Sequence, residues 1–397
     1  MKIVYVIDSL ASKGGAERII SEKMNYMADL LGYDVTVVTC YQFPESMPNA
    51  YQISDNIRQI NLQIEAHHQY RYHYPKRLWV KWKYFRELRH RLRETIKNIN
   101  PDILIGVGYT LADVVCQSNY QAAIIIESHE AKMFTMSNEL HQERLLLLKF
   151  FVKIYKYFYI KTIEQKATVV VTLTEQDAQE WRKAKRVEII PNFSSMPISN
   201  ISTGKNKKVI AVGRLEWQKG YDRLLSIWAE TSRSHPDWQL NIYGEGSLKK
   251  ELANQISQNE LVNVHIHEFT TNISCQYAES SICVLTSRFE GFSLVLLEAL
   301  RHGVPCITFD CPFGPAEVVG NETCGYVVEN GNLRLFASKL SYLMDDPNTR
   351  KIFSLNAIEK AKTYDKENIM RQWQRLFENL ILHKQKNLNY ETNLLSH

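Results

Sequence analysis

The sequence predicts an α/β protein with two doubly wound domains, each built around a parallel sheet, and three observations support this. The chain has 397 residues, more than one ordinary domain contains. Short apolar runs rich in β-branched residues alternate with helical patterns, as they do in α/β proteins. This alternation stops near residue 189 and begins again at 208, after a segment rich in Pro, Ser and Asn. Domains of this class bind ligands at the carboxyl ends of their strands.

Buried parallel strands are predicted from near-continuous apolar runs. They cover 2–7, 34–39, 102–107, 122–128 and 167–173 in the first half, and 208–213, 238–244, 281–286, 304–309 and 325–329 in the second. Helices are predicted between them, including 16–31 and 75–98. We therefore expect one domain at 1–195, a second at 206–365, and a polar tail at 385–397.

Composition and charge restrict the class of protein. Hydrophobic residues make up 45% and charged residues 23%, as in soluble globular proteins. The net charge is +5, and the excess lies in residues 1–195, which contain 26 Lys and Arg against 21 Asp and Glu. The pI of about 8.6 is too mild to favour nucleic acid as a partner.

The sequence shows neither the pattern of a secretory signal nor that of a membrane span. The run "IVYVI" after Met1 and Lys2 is too short for a signal peptide, and lysines interrupt the oily segment 145–160. The seven cysteines have no CxxC or Cys/His metal spacing. We therefore expect a reduced, cytoplasmic protein without structural zinc.

A glycine pair follows the first predicted strand, in "DSLASKGGAERII" (8–20). Gly14 and Gly15 open a helix, where backbone N–H groups can approach an anion such as a phosphate. The alternative is a tight strand-to-helix turn that needs positive φ. The segment "GVGYTLA" (106–112) lacks the third glycine and the acidic partner of a dinucleotide fingerprint, which argues against NAD.

Two cations follow the first strand of the second domain, in "VGRLEWQKGYDRLL" (212–225). Arg214 and Lys219 lie at a carboxyl strand end, where they are placed to neutralise a diphosphate. The alternative is a pair of solvated surface charges.

A third segment, "SRFEGFSLVLLEALRHG" (287–303), contains two carboxylates within a mainly apolar sequence. A helix is predicted from near Phe292, with Gly303 just past its end. The N–H groups of Phe292, Ser293 and Leu294 then form an anion-binding helix terminus. Glu290 precedes that terminus.

Glu298 lies about two turns into the same helix. It shares a face with Leu294 and Arg301, so the alternative to a binding role is a solvated stripe. In the first domain, His129 also falls at a carboxyl strand end, in "IIIESHEAK" (124–132). A lone histidine at such a position is either structural or catalytic.

The segment 75–96 combines an apolar stripe with eight Lys and Arg residues between Lys76 and Arg93, against the single acid Glu87. Leu78, Trp82 and Phe85 begin that stripe. Cations beside aromatic residues suit an anionic membrane surface. The alternative is a core-facing stripe with solvated charges. The oily, basic segment 145–163 has the same character.

Taken together, these segments resemble glycosyltransferase family 4, the retaining nucleotide-sugar transferases with two Rossmann-like domains facing across a cleft (the GT-B fold). "GGAERII" resembles the family's glycine loop, "VGRLEWQKGYDRLL" its donor-phosphate loop, and "EGFSLVLLEAL" its E-x7-E motif. "DCPFGPAEVV" (310–319) is similar to the variant in bacterial enzymes that build capsule, lipopolysaccharide or lipid-linked oligosaccharide. "YDKENIMRQWQRLF" (364–377) is similar to the last helices, so 366–384 is expected to cross back to the N-terminal domain.

The resemblance assigns roles to the candidate residues. Glu298 would hold the ribose of the nucleotide, and Glu290 would lie against the transferred sugar. Arg214 and Lys219 would bind the diphosphate and stabilise it as it leaves. His129 matches the histidine beside the donor sugar.

The implied reaction transfers a hexose or N-acetylhexosamine from a UDP-sugar to a glycan or undecaprenyl-diphosphate-linked acceptor. The sequence contains no Asp-x-Asp triplet, so we expect no metal and no cofactor. The protein would reach the inner face of the cell membrane through 75–96, in a domain that binds the acceptor. The chain departs from the family at Glu268, where glycine is usual. A non-catalytic membrane-associated protein of this fold and a nucleotide-dependent oxidoreductase are the alternatives.

Overall fold

The computed structural model of the chain contains two β-sheets whose strands all run parallel. It describes residues 1–73, 76–117, 120–129, 157–198 and 200–395. The sheets belong to two units, the first comprising Met1–Ile190 and Met370–His397 and the second Pro191–Ile369. This confirms the prediction of two parallel-sheet α/β domains.

The sheet of the first unit has seven strands in the order β3-β2-β1-β4-β5-β6-β7. The strands are β1 (Lys2–Ile7), β2 (Asp34–Thr39), β3 (Arg58–Asn61), β4 (Ile103–Val107), β5 (Ala123–Glu127), β6 (Val169–Thr172) and β7 (Val187–Ile189). The helices are α1 (Gly15–Asp29), α2 (Lys76–Ile99), α3 (Tyr109–Cys116), α4 (157–166) and α5 (Glu175–Glu180), with a 3₁₀ turn at Ala66–Arg71.

The sheet of the second unit has six strands in the order β10-β9-β8-β11-β12-β13. The strands are β8 (Lys208–Val212), β9 (Gln239–Tyr243), β10 (Val264–His267), β11 (Ile282–Leu285), β12 (Cys306–Asp310) and β13 (Gly325–Glu329). The helices are α6 (Tyr221–Thr231), α7 (Lys249–Gln258), α8 (Ile273–Ala278), α9 (Leu294–Arg301), α10 (Pro315–Val319), α11 (Leu333–Asp345), α12 (Pro347–Lys362) and α13 (Lys366–Leu395).

The sequence predicts the nine interior strands and the edge strand β13, whereas three other edge strands are new. β3 and β7 form the two edges of the first sheet, and β10 forms one edge of the second. Each has only three or four residues, none of them buried. An edge strand covered on fewer sides needs no continuous apolar run, so the pattern that reveals the interior strands is missing.

Strand order reverses once in each sheet, between β1 and β4 and between β8 and β11. The chain winds outward in one direction from the first strand of each pair and in the other direction from the second. The loops that follow these two strands therefore diverge and leave space for a ligand at the carboxyl edge. Three of the predicted site segments begin at such strands: the glycine pair after β1, the cation loop after β8 and Glu290 after β11.

The segment rich in Pro, Ser and Asn that precedes residue 208 packs onto the second unit. Arg301 donates hydrogen bonds to the carbonyl oxygens of Ser194 and Met196. The hydroxyl of Ser202 donates to the carbonyl of Ser280 at 2.5 Å. The described residues of the segment form no helix or strand, and hydrogen bonds from side chains take the place of those that regular structure would provide to its backbone.

The C-terminal helix is longer than predicted. α13 continues through Leu395, so 385–395 is helical instead of a polar tail. Its Lys, Gln, Leu and Glu residues favour helix, which explains the extension. From Met370 onward the helix belongs to the first unit. No helix in the described ranges combines the length and the apolar character that crossing a bilayer requires.

Arg350 ties together three turns of the second unit. Its guanidinium donates to the carbonyl oxygens of Leu343 (2.5 Å), Met344 (3.0 Å) and Gly204 (3.2 Å), and it lies over the ring of Trp238. Arg350→Met keeps much of the side-chain volume but leaves these buried acceptors without a donor. We expect it to lower the free energy of unfolding by about 2–4 kcal/mol in denaturant titrations.

The neighbouring Lys351 is exposed and serves as the matched control. Lys351→Met should change stability by less than about 0.5 kcal/mol. Equal unfolding midpoints for the two variants would show that the Arg350 bonds contribute little.

Candidate functional site

The loop after β8 is shaped by glycines and carries both predicted cations. Gly220 has φ of +66°, and a Cβ atom there would lie 2.2 Å from the carbonyl oxygen of Thr286. Only glycine allows the loop to pass this close to the end of β11. The hydroxyl of Tyr221 donates to the carbonyl of Gly213 at 3.2 Å and closes the loop at its other end.

Lys219 and Glu290 form an ion pair across the point where strand order reverses. Lys219 Nζ lies 2.7 Å from Glu290 Oε1, and the same oxygen accepts a 2.5 Å hydrogen bond from Ser287. The side chain of Lys219 is 14% exposed and that of Glu290 is 7% exposed. Both residues thus lie at the carboxyl edge, as predicted, but they contact each other. No pattern in the sequence indicates this pairing, which joins positions 71 residues apart.

Burial raises the pKa of the nearby Cys311 thiol to about 12, with the charge of Glu290 adding to the effect and that of Lys219 opposing it. The thiol is therefore protonated at neutral pH. It supplies no negative charge to the pair beside it.

Arg214 lies on the same loop and is exposed to solvent. It donates to the side-chain oxygen of Gln218 at 3.3 Å, a weak contact that leaves most of its donors available. Position and exposure fit the predicted role in holding an anion.

Arg288 is a residue that the sequence argument missed. It makes two hydrogen bonds to the carboxylate of Asp222, at 2.9 and 2.7 Å, and donates to the carbonyl of Trp217 at 2.7 Å. Its guanidinium also lies 4.5 Å from the centre of the Trp217 ring. Arg288 therefore fixes the cation loop to the segment that carries Glu290. The sequence could have indicated Arg288 through its position, two residues before Glu290 and just after the predicted strand.

The helix after Glu290 begins two residues later than predicted. α9 starts at Leu294, with Ser293 as its N-cap. Phe292 lies outside the helix, and its ring packs edge-on against Tyr364 at 5.7 Å. The amides without an intrahelical acceptor are consequently those of Ser293, Leu294 and the two residues that follow, while Phe292 contributes through packing.

Ser293 is buried, and its hydroxyl has no hydrogen-bond partner among the described residues. It does not cap the helix with its side chain. A buried hydroxyl at a helix N-terminus provides one more donor for an anion bound there.

Glu298 is buried, so the solvated-stripe alternative is wrong. The Tyr277 hydroxyl donates to Glu298 Oε2 at 3.3 Å. Burial, together with the charge of Glu298, raises the pKa of Tyr277 well above its usual value. Arg301, the other polar member of the supposed stripe, binds the 194–196 backbone. Tyr277 is a further residue that sequence reasoning missed.

Neither glycine of the pair in the first unit has positive φ, so the tight-turn alternative there is wrong. Gly14 is the N-cap of α1 with φ of −82°. A Cβ atom at Gly14 would lie 2.2 Å from Glu17 Oε2, so the missing side chain makes room for that carboxylate. Gly15 is the first residue of the helix. Any anion at this terminus shares the helix dipole with Glu17.

His129 follows β5, and its ring nitrogen Nε2 lies 2.8 Å from Glu127 Oε1. The same carboxylate oxygen accepts from the buried Lys23 of α1. Although burial raises the pKa of Glu127, Lys23 and His129 lower it to about 2. The sequence identified the histidine but neither of these two partners.

Two family models match consecutive parts of the chain. Residues 13–194 match "Glycosyltransferase Family 4", and residues 195–360 match "Glycosyl transferases group 1". The chain belongs to glycosyltransferase family 4. This confirms the resemblance drawn from the loops that carry Gly14, Lys219 and Glu290.

Relatives of this glycosyltransferase include bacterial enzymes of polysaccharide synthesis. The amylovoran biosynthesis glycosyltransferase AmsD of Erwinia amylovora is 29% identical over 388 residues, covering 94% of this chain and 98% of the relative. The N-acetylgalactosamine-N,N'-diacetylbacillosaminyl-diphospho-undecaprenol 4-alpha-N-acetylgalactosaminyltransferase of Campylobacter jejuni is 31% identical over 183 residues, covering 46% and 49%. Among solved structures, Anabaena Alr3699/HepE in complex with UDP-glucose aligns with a TM-score of 0.71 at 16% identity, covering 96% and 100%.

In the glycosyltransferase, the departure at Glu268 proves to be a surface ion pair. Glu268 lies 3.0 Å from Lys249, and both side chains are exposed. At the ends of the neighbouring strands β9 and β10, the rings of Tyr243 and His267 stack at 4.5 Å. No group of three or more His, Cys, Asp or Glu suited to a metal occurs in the ranges that the structure describes.

Helix α2 of the glycosyltransferase has two distinct faces. Leu88, Leu92 and Ile96 are buried in the core of the first unit, so that part of the predicted stripe is structural. Trp79 and Trp82 are 61% and 57% exposed. Trp82 was expected in the apolar stripe and instead lies on the surface, where the guanidinium of Arg86 lies 5.1 Å from its ring centre.

The eight predicted cations of α2 are not equivalent. Arg89 pairs with Asp113 at 2.9 Å, and Arg91 pairs with Glu87 at 2.6 Å. Lys81, Lys83 and Arg86 are exposed and form no ion pair with a described residue. Tyr157 and Phe158 of α4 are exposed as well, whereas most of the second oily segment, 145–163, lies outside the described residues.

Proposed function

We propose that this glycosyltransferase moves a hexose or N-acetylhexosamine from a UDP-sugar to a lipid-linked glycan acceptor in bacterial polysaccharide synthesis, with retention and without a metal. The observation that carries the proposal is the arrangement of Lys219, Glu290 and Arg214 at the carboxyl ends of β8 and β11. It combines cations for a diphosphate with a carboxylate for a sugar hydroxyl in one place.

The diphosphate would be held by Arg214, Lys219 and the first amides of α9. Lys219 is already close to a carboxylate and keeps donors for a second anion. Arg214 is exposed and can bind two phosphate oxygens at once. Because negative charge grows on the diphosphate as the sugar leaves, these fixed donors stabilise the transition state more than the bound donor. They take the place that a divalent cation fills in metal-dependent transferases, and the sequence has no Asp-x-Asp triplet to hold such an ion.

Glu298 and Glu290 would bind the parts of the donor on either side of the diphosphate, the ribose and the transferred sugar. Glu298 is buried beside Tyr277, where an ionised carboxylate can accept hydrogen bonds from both ribose hydroxyls. Glu290 is close to the diphosphate cations and would accept from a hydroxyl of the transferred sugar. His129 would also contribute to catalysis. Retention is compatible with a same-face displacement or with a covalent intermediate.

The donor and acceptor classes are supported by the named relatives. HepE binds UDP-glucose, and the Campylobacter enzyme acts on an undecaprenyl-diphosphate-linked sugar. AmsD, which matches nearly the whole chain, serves amylovoran synthesis. An undecaprenyl acceptor lies in the membrane, so the enzyme would work at the inner face, with α2 as its contact.

Donor class and metal independence are tested together by measuring nucleoside diphosphate release from a panel of UDP-, GDP- and ADP-sugars, with and without undecaprenyl-diphosphate-linked glycans. We expect turnover with a UDP-sugar, dependence on the acceptor, and no change on addition of EDTA. Loss of activity in EDTA that Mg²⁺ or Mn²⁺ restores would contradict the metal-free mechanism. Turnover with a GDP-sugar alone would contradict the donor assignment.

The division of labour between the site residues is tested by calorimetry with UDP and by steady-state kinetics. Lys219→Ala should lower kcat/KM by at least about 10²-fold, the scale of losing one electrostatic stabiliser. Glu298→Gln should weaken UDP binding. Glu290→Gln should lower kcat but bind UDP at least as tightly as the wild type, because Lys219 loses the partner that competes with the diphosphate.

Lys207 provides the control, since it precedes β8 at the opposite, amino end of the same strand. Lys207→Ala should leave both UDP affinity and kcat/KM unchanged. Equal losses of UDP affinity in Glu290→Gln and Glu298→Gln would contradict the assignment of one to the sugar and the other to the ribose.

Membrane contact is tested by sedimentation with vesicles that contain anionic lipid. Each of the three unpaired cations contributes about 1 kcal/mol at such a surface. Replacing Lys81, Lys83 and Arg86 with Gln should therefore release the protein from vesicles at low salt and leave UDP binding intact. High salt should release the wild type because it screens these charges.

The matched control removes the same charge elsewhere, by replacing Lys183, Lys185 and Lys250, all exposed, with Gln. It should sediment like the wild type. If both triple variants sediment equally, net charge rather than the α2 surface governs binding.

A further inference from the structure

A buried ionic network lies at the carboxyl end of β5 and is built from Lys23, Glu127 and His129. Lys23 is 1% exposed, Glu127 is fully buried, and the side chain of His129 is 7% exposed. One carboxylate oxygen, Glu127 Oε1, accepts from Lys23 and lies 2.8 Å from His129 Nε2. The other oxygen, Oε2, has no hydrogen-bond partner among the described residues. The charge of Glu127 therefore depends on these two neighbours.

Helix α13 closes the network from its other side. The ammonium group of Lys23 lies 4.4 Å from the ring centre of Trp373, which is itself buried. The contact with the aromatic face replaces part of the stabilisation that the cation loses when it is removed from water. Tyr5 of β1 is a further titratable neighbour among the described residues, and burial, with the charge of Glu127 adding to it, raises its pKa well above the usual value. The tyrosine is therefore a neutral phenol.

The protonation states follow from these contacts. Glu127 has a pKa of about 2, so at neutral pH it is a carboxylate, which only accepts hydrogen bonds. The ring nitrogen facing it, Nε2, must then carry a proton. Lys23 already supplies the positive charge that balances Glu127. The imidazole is not needed as a counter-ion, and in this tautomer its other nitrogen, Nδ1, carries no proton.

Stability alone does not explain this network. A buried ion pair contributes little net stability compared with well-packed apolar residues of similar volume, because removing both charges from water is costly. The network also lies at the carboxyl end of a strand, the edge where α/β domains bind ligands. A role in orienting the ring of His129 would explain why two buried charges lie at this position.

We propose that Lys23 and Glu127 are positioning residues for His129: they hold its ring in the tautomer with the proton on Nε2, so that Nδ1 accepts a hydrogen bond from a substrate hydroxyl. Glu127 orients the ring directly. Lys23 acts through Glu127 by keeping the imidazole neutral. The substrate part of this inference rests on the proposed function, whereas the tautomer does not.

The tautomer is measured by long-range ¹⁵N–¹H correlation spectra of the full chain with ¹⁵N-labelled histidine. The chain has twelve histidines, and the signals that disappear in His129→Gln are assigned to His129. We expect a protonated Nε2 and an unprotonated Nδ1 at neutral pH in the wild type. Lys23→Met should protonate both nitrogens, because the ring then becomes the counter-ion of Glu127. The double variant Lys23→Met with Glu127→Gln has no buried charge and should return the ring to a neutral form.

Two results would overturn the proposal. A proton on Nδ1 in the wild type contradicts it without any variant. A ring that stays neutral in Lys23→Met shows that Lys23 does not set its charge. Met24→Ala provides the control for simple loss of stability, since Met24 is fully buried on the same helix; this variant should unfold more easily but keep the wild-type tautomer.

Kinetics separate this inference from the proposed function. With an active donor, Lys23→Met should lower kcat by about 10-fold, the effect of losing one hydrogen bond, and leave UDP affinity unchanged. The double variant should be more active than Lys23→Met. If kcat in Lys23→Met equals that of the wild type while the spectra change as expected, Nδ1 does not act on the substrate. If no sugar nucleotide is turned over, the proposed function fails while the spectra still decide the tautomer.

Discussion

The reversal of strand order in each sheet is the constraint on which the candidate site depends. At β1/β4 and at β8/β11 the chain winds away in opposite directions, so the loops that follow these strands cannot cover each other. Backbone groups and charged side chains remain accessible there, while the rest of the sheet is covered by helices. The close passage of Gly220 against Thr286 shows how tightly the second unit packs these loops where they leave the sheet.

Both units place a Lys–Glu pair at this edge, and the two pairs differ in how water reaches them. Lys23 and Glu127 are sealed, with side chains no more than 2% exposed, and Trp373 covers the cation. Glu127 Oε1 also has His129 as a partner, so these charges are balanced inside the first unit rather than by solvent. Lys219 and Glu290 are 14% and 7% exposed. Their pair can open when a ligand offers each of them a better partner.

The sequence was sufficient for interior strands and for loop positions, because both are local patterns. Ten strands appear as apolar runs, and Arg214, Lys219, Glu290 and Glu298 lie in or next to loops set by glycine. The edge strands β3, β7 and β10 were missed because they lack burial on enough sides to need an apolar run, whereas the edge strand β13 is mostly buried and was predicted. Partners such as Glu127 for Lys23 or Tyr277 for Glu298 were missed for another reason. Contacts between positions 104 or 21 residues apart depend on packing of different elements, and no spacing in one sequence encodes them.

The Lys219–Glu290 pair also bears on how a nucleotide sugar would be distinguished from its parts. With no donor, each residue neutralises the other. A nucleoside diphosphate would offer Lys219 a new partner but would leave the buried Glu290 with the hydrogen bond from Ser287 and without its ion-pair partner, which is costly. A free sugar offers Glu290 a hydroxyl donor but gives Lys219 nothing. Under the proposed function, only the complete donor would supply the diphosphate and the sugar hydroxyl together, and opening of the pair would then favour the intact nucleotide sugar over UDP or sugar alone.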